Sequence, residues 1–219
     1  MSLIISYFDE KEKQFYLWVD GRIYHEEDGQ NYVLLDDYKR TYVCGNKVIC
    51  LTGNLGAINE SMTKLTNEES VNSVRNKLID TYNSYINRVP DELLELGACV
   101  FSVENGIGVV YQISSENGFI INKTKTINQN LFVISPDKSS EVLQYIKDEV
   151  IKDNNFGNVV YRAYNYFCGE TIGGNIIKYY INEQGVEAYK TKILDCKMCR
   201  CYQKKAGLTI KDDIDGEVV

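Results

Sequence analysis

Along this chain the spacing of apolar positions changes twice from a two-residue to a helical period, and those changes divide it into blocks. Residues 2–7 and 15–20 are rich in β-branched and aromatic side chains. They flank the charged run Asp9-Glu10-Lys11-Glu12-Lys13, a pattern that predicts a hairpin. A polar, acidic loop is expected at His25-Glu26-Glu27-Asp28-Gly29-Gln30-Asn31. Two further strands are predicted over 39–43 and 47–52, joined at Gly45-Asn46. The second is a nearly unbroken apolar run, as in a strand covered on both faces.

From about 55 to 89 the period becomes helical, with a break near Thr66-Asn67-Glu68. Val71, Val74, Leu78 and Tyr82 recur at three- and four-residue steps and mark one buried stripe, which Pro90 ends. Strands resume from 97 to about 126, with turns at Glu104-Asn105-Gly106 and Glu116-Asn117-Gly118, because Asn-Gly readily takes the positive φ that tight hairpins need. After a short apolar run at 131–134, helices are predicted over 138–152 and 158–167. The pair Gly173-Gly174 then opens a strand over 175–181, followed by a turn at Glu183-Gln184-Gly185 and a last strand to about 190.

The order is thus strands, two helices, strands, two helices, strands. Two antiparallel sheets packed together, with a helix pair outside each, would bury every apolar face named. The 219 residues are expected to form one domain over 1–203, with an acidic tail over 204–219. A formal net charge of -7 argues against nonspecific affinity for nucleic acid or an anionic membrane surface. No apolar stretch approaches the ~18 residues of a membrane span. The start of the chain lacks the basic and apolar regions of a signal peptide, so a cytoplasmic location is expected. Seven cysteines, an odd number, agree with a reducing compartment. Cys44, Cys50, Cys99 and Cys168 sit in apolar runs, as small buried residues do.

The chemistry begins at Met1-Ser2. Initiator methionine is normally removed before a small residue, and its removal here would give Ser2 both a hydroxyl and a free α-amine. The amine titrates at about 7.7–8.0, so one residue could supply nucleophile and general base together. Asp20, Lys39 and Gly53 are the candidates to assist it. Singly, Asp20 reads equally as a hairpin turn residue and Lys39 as a solvated charge on an edge strand.

These residues together resemble the proteasome β-subunit-like branch of the N-terminal-nucleophile (Ntn) hydrolases, a branch that includes bacterial ring peptidases and small phage or prophage proteins. Ser2 stands where the family has its mature nucleophile. Asp20 closes Trp18-Val19-Asp20-Gly21-Arg22, similar to the family's apolar-Asp-Gly/Arg stretch. Lys39 lies eight residues before Lys47 and fourteen before Gly53, offsets similar to those of the family lysine and glycine. Gly173-Gly174 opens a late strand as the family's glycine pair does. Two departures are plain. Gly169-Glu170-Thr171-Ile172 replaces the family's Asp-x-x-Ser before that pair, and Ile134-Ser135-Pro136 stands where a Gly-Ser-Gly-like element is usual.

The resemblance implies an α+β fold, a four-layer αββα sandwich with two antiparallel sheets between helix layers. It also implies hydrolysis of a peptide or other small amide. Ser2 would attack the carbonyl. Lys39 would lower the pKa of the amine, held in place by Asp20, and the Gly53 N–H would meet the oxyanion, with Ser135 nearby. It implies no cofactor and no metal, and a homo-oligomer. The alternative is an inactive protein of the same fold serving as an oligomeric structural or binding module.

Other constellations carry less. Cys196-x-x-Cys199-x-Cys201 has knuckle spacing but lacks a fourth ligand nearby, and His25 is the single histidine. Gly53-Asn54-Leu55-Gly56 lacks the Gly-Lys-Ser/Thr ending of a phosphate loop. The seventeen tyrosines fall mostly at core-facing spacing.

Overall fold

Strand alternation governs the architecture, because each long sheet is apolar on both faces and must be covered twice. The computed structural model describes residues 3–27, 30–90, 94–127, 129–135, 138–169 and 171–192. In it β1 (Ile4–Asp9) and β2 (Gln14–Asp20) form the expected hairpin, with Ile4 opposite Val19 and Phe8 opposite Phe15. They belong to a five-stranded antiparallel sheet with β10 (Leu131–Ile134), β11 (Asn175–Asn182) and β12 (Gly185–Lys192), in the order β10-β1-β2-β11-β12. A second five-stranded sheet runs β5-β6-β7-β8-β9. It comprises β5 (Thr41–Cys44), β6 (Lys47–Gly53), β7 (Leu96–Glu104), β8 (Ile107–Ser114) and β9 (Asn122–Lys125).

Period two assigns the side chains. Ile4, Leu17 and Val19 from the first sheet pack with Val48, Cys50 and Phe101 from the second in one buried cluster. The intervening residues face outward. Leu3, Ile5 and Trp18 pack with Val142, Ile146, Val159 and Ala163 of α3 (Ser139–Val150) and α4 (Phe156–Phe167). Ile49, Leu51 and Val100 pack with Ala57, Ile58, Val74 and Leu78 of α1 (Leu55–Lys64) and α2 (Val71–Tyr85). The helices start where capping chemistry allows. The Asn54 side chain accepts from the Gly56 and Ala57 N–H groups, and Ser70 accepts from the Ser73 N–H.

The expected four-layer αββα sandwich with two sheets is corrected by this arrangement. The described strands form three antiparallel sheets, of five, two and five strands, accompanied by four helices. The additional sheet pairs β3 (Ile23–Glu27) with β4 (Gln30–Leu35), where an acidic loop was expected. Reading that stretch by apolar alternation misses it, because hairpin pairing is satisfied by backbone hydrogen bonds and needs no buried face. Glu27 pairs with Gln30, leaving a two-residue connection whose Asp-Gly sequence is itself a strong hairpin signal. The tail expected over 204–219 and the Cys196, Cys199 and Cys201 cluster lie outside the described residues. No helix among the described residues is long and apolar enough to cross a membrane.

Candidate active site

β2 ends at Asp20, and the side chain there, 1% exposed, ties together two distant pieces of chain. The Leu3 N–H donates to its Oδ1 at 3.0 Å, and the Gly173 N–H donates to its Oδ2 at 2.8 Å. Leu3 is held from the other side as well. The buried Tyr164 hydroxyl of α4 donates within 2.8 Å of the Leu3 carbonyl oxygen and 3.0 Å of that of Trp18. Burial, reinforced by the charge of Asp20, keeps that phenol well above its ordinary pKa, so it remains a neutral donor. The residue that follows Ser2 is therefore fixed through its N–H and its C=O.

A second layer of bonds surrounds this clamp. The Gly21 N–H donates to the Asn175 carbonyl at 2.8 Å, and the Asn175 N–H donates to the Asp36 carbonyl at 2.6 Å. Arg22 is fully buried. Its Nε donates to Asp36 Oδ1 at 2.7 Å, and its Nη1 donates to the Gly169 carbonyl. At Gly173 a Cβ would fall 2.6 Å from the Arg22 guanidinium carbon. At Gly174, with φ +76°, it would fall 2.2 Å from the Asp36 carbonyl oxygen. The glycine pair is thus required by close approach of an arginine and a neighbouring backbone.

A buried cation that feels the charge of Asp20 is Arg40. It is 5% exposed, and its Nη2 donates to the Arg22 carbonyl at 2.6 Å. Burial lowers its pKa, while the charge of Asp20, first among several groups, works to raise it. The guanidinium lies 5.9 Å from the centre of the Tyr38 ring, and its Nε is buried without a hydrogen-bond partner among the described residues. Lys39, the cation expected by spacing, is exposed and lines a cleft of about 190 Å³ with Gly21, Tyr38, Asn175, Ile177 and Lys190.

The remaining expected residues fall as follows. Ser2, with Met1, lies outside the described residues. Gly53 pairs with Leu96 at the end of β6 and has φ +113°, and a Cβ there would meet the Glu95 carbonyl oxygen at 2.0 Å. Packing alone therefore accounts for a glycine at 53. Ser135 is half-buried, one step beyond the Ile4–Ile134 pair at the β1–β10 ladder end. Its N–H donates to Ser139 Oγ and its carbonyl accepts from the same hydroxyl, both at 2.8 Å, so its backbone caps the approach to α3. His25 pairs through its backbone with Tyr32. The thiols of Cys50 and Cys99 are raised by burial, Cys99 to about 12, and are not nucleophiles. Cys168, expected as a free buried residue, is half-buried and disulfide-bonded.

Comparison with known proteins bears on the fold only. No family model matches the chain, and no curated protein matches its sequence. Solved structures do share its architecture. One is the Anbu complex from Pseudomonas aeruginosa in its helical assembly, with a TM-score of 0.63 over 94% of this chain and 93% of that one, at 10% identity.

Membership of the proteasome β-subunit-like Ntn hydrolases, expected from motif spacing, is corrected by these findings. Identity of 10% shows a common fold and nothing finer, and no family model carries the motif matches. The structure gives the physical reason. Of the spaced motif residues, Lys39 is a surface side chain, and Gly53 and Gly173 have packing explanations. Of the side chains that lock the region, Arg22 closes the Asp20 stretch, whereas Arg40 and Tyr164 belong to none of those motifs. Sequence did carry one sign of them: Arg22 and Arg40 are basic residues that border strand runs the fold buries.

Proposed function

We propose that this chain is an amide-bond hydrolase whose nucleophile is the Ser2 hydroxyl, made competent by removal of Met1. The observation that supports it is the double grip on Leu3. Its N–H is bonded to buried Asp20 and its C=O to Tyr164, and Arg40 lies within electrostatic reach of the same carboxylate. Such a grip holds Leu3, the residue after Ser2, in place beside an aspartate–arginine couple, and a fixed neighbour is what an N-terminal nucleophile needs. Ser2 Oγ attacks the substrate carbonyl, and its α-amine accepts the hydroxyl proton and passes it to the leaving amine. The C–N bond breaks, leaving an ester on Ser2 that water hydrolyses. Arg40 serves as a permanent positive charge, favouring the unprotonated amine, and exchanges no proton itself. The substrate class is a peptide or other small amide.

The test is mass spectrometry. Protein processed at its start should lose methionine and take up one acyl group from an activated peptide ester, mapped to Ser2. Ser2→Ala should take up none. Acylation that persists in Ser2→Ala overturns the proposal, as does a processed protein that no acyl donor modifies.

A second reading, a catalytically inactive oligomeric structural or binding module, draws on a different observation. The fold is shared with the Anbu complex, a protein that forms a helical assembly. Oligomers that sediment identically for wild type and Ser2→Ala, together with absence of acylation, would favour it.

A further inference from the structure

At the outer edge of the first sheet the packing between the two large sheets runs out and leaves the cleft that Lys39 lines. Its floor is apolar: Ile177, Tyr179 and Ala188 share the face of β11 and β12 that packs toward the core, with Tyr179 directly opposite Ala188. The Tyr179 hydroxyl is occupied by Thr41, and burial raises that phenol to about 12, so the ring serves as a wall and carries no charge. Two exposed ammonium groups stand at the rim, Lys39 from the segment before β5 and Lys190 from β12, against one acid, Asp37. This is a cationic mouth on a chain of net charge -7.

The second observation is the strand beside it. β12 is eight residues long, ends the sheet order, and is paired on one side only among the described strands. Three consecutive residues of it, Ala188, Tyr189 and Lys190, line the cleft, so its backbone as well as its side chains borders the opening. Long unpaired edges accept an added strand, with main-chain bonds giving affinity and neighbouring pockets selecting side chains.

We infer that this cleft is a peptide-binding site: an extended segment adds to the free edge of β12 and places an acidic side chain between Lys39 and Lys190. Side chains two positions from that acid share its face and reach Ala188, while its immediate neighbours point away. Phosphate is the poorer fit. The lining holds no arginine fork and no helix N-terminus, and Asp37 opposes a dianion more strongly than a single carboxylate. The cleft borders the Asp20 site through Gly21 and Asn175, but the proposal uses no chemistry of Ser2 and stands whether or not the chain is a hydrolase.

Calorimetric titration of the full chain with acetyl-Leu-Thr-Glu-Thr-Leu-amide, whose acid and leucines share one face when extended, tests it. Binding should be measurable, should weaken about tenfold in Lys39→Glu/Lys190→Glu, and should weaken with added salt, since both charges are solvent-exposed. Both lysines are surface residues, so thermal melts of the variant should match wild type. The peptide with lysine in place of glutamate should not bind. N-methylation at alternate residues should abolish binding in one phase and spare it in the other. Equal binding of acidic and basic peptides overturns the proposal, as does an unaffected charge-reversal variant. Insensitivity to N-methylation in both phases overturns the edge pairing. Inorganic phosphate that displaces the peptide at equal concentration assigns the cleft to phosphate and overturns it too.

Discussion

Replacing Asp20 by asparagine removes one oxygen acceptor from a place where two backbone donors converge. Oδ1 accepts from Leu3 and Oδ2 from Gly173, and the side chain is 1% exposed. Asparagine presents one oxygen and one NH2 group, so in either orientation an NH2 faces an N–H. A buried donor left unpaired costs about 1–3 kcal/mol. The surviving bond also loses its charge assistance, about 1 kcal/mol more. Asp20→Asn should therefore destabilise the protein by about 2–4 kcal/mol, a drop of roughly 5–15 °C in Tm for a domain of this size. Trp18, the single tryptophan, is 1% exposed and its carbonyl shares Tyr164 with Leu3, so its fluorescence in a urea titration reports on this region. A loss below about 1 kcal/mol would refute the reasoning, because it would mean that the two N–H groups find other acceptors.

Other consequences can be checked by similar means. Glu69 is 4% exposed. Burial would raise its pKa, but hydrogen bonds from Lys77, Ser73 and Thr66 outweigh it and bring it down to about 2 from 4.5. A depressed folded-state value means stability that is full above about 4.5 and is lost as pH falls toward 2. Its size is about 3 kcal/mol, so Glu69→Gln should flatten the acid limb of a stability-versus-pH curve, and an unchanged limb would contradict this. Gly53→Ala should cost more than about 2 kcal/mol, since its Cβ meets a carbonyl oxygen and φ +113° is strained for alanine. A well-folded Gly53→Ala would remove the packing explanation for that glycine. Tyr164→Phe leaves two carbonyl oxygens without their shared donor and should cost about 1–2 kcal/mol in the same urea assay. An equal melting curve would show that water replaces the phenol.

The order of elements was legible because both large sheets are buried on two faces and the helices on one, and each pattern writes a distinct period into the chain. The hairpin of β1 and β2, the helices α3 and α4, and the strand after Gly173-Gly174 are all predicted within a few residues of where they lie. The β3–β4 sheet was not read, since Glu26, Glu27, Gln30 and Asn31 give no apolar alternation and the one local sign, Asp28-Gly29, sits in an acidic run that reads as a loop. The site was legible in part. Asp20 could be picked out because it closes the apolar run Trp18-Val19 just before Gly21-Arg22, a stretch read together with the other motif offsets. Its two N–H partners could not be found, because Leu3 and Gly173 meet it through backbone atoms that any residue possesses.

The cation shows most clearly why spacing alone falls short. Lys39 and Arg40 are adjacent, and in extended chain adjacent side chains point to opposite sides, so a shift of one position exchanges surface for interior. Offsets counted along a sequence cannot separate the two when both are basic. Physical chemistry can. A guanidinium spreads its charge over a plane and is more weakly hydrated than an ammonium, so it is the cation that loses less on burial. Arg40 also lies near the Tyr38 ring, a contact that suits a flat, weakly hydrated cation. Lysine in its place would lose more hydration on burial. The exposed lysine, by contrast, keeps its hydration and stays free to meet a carboxylate at the mouth of the cleft. The pair thus divides two tasks between neighbouring residues, one cation for the interior of the Asp20 site and one for whatever approaches the edge of β12.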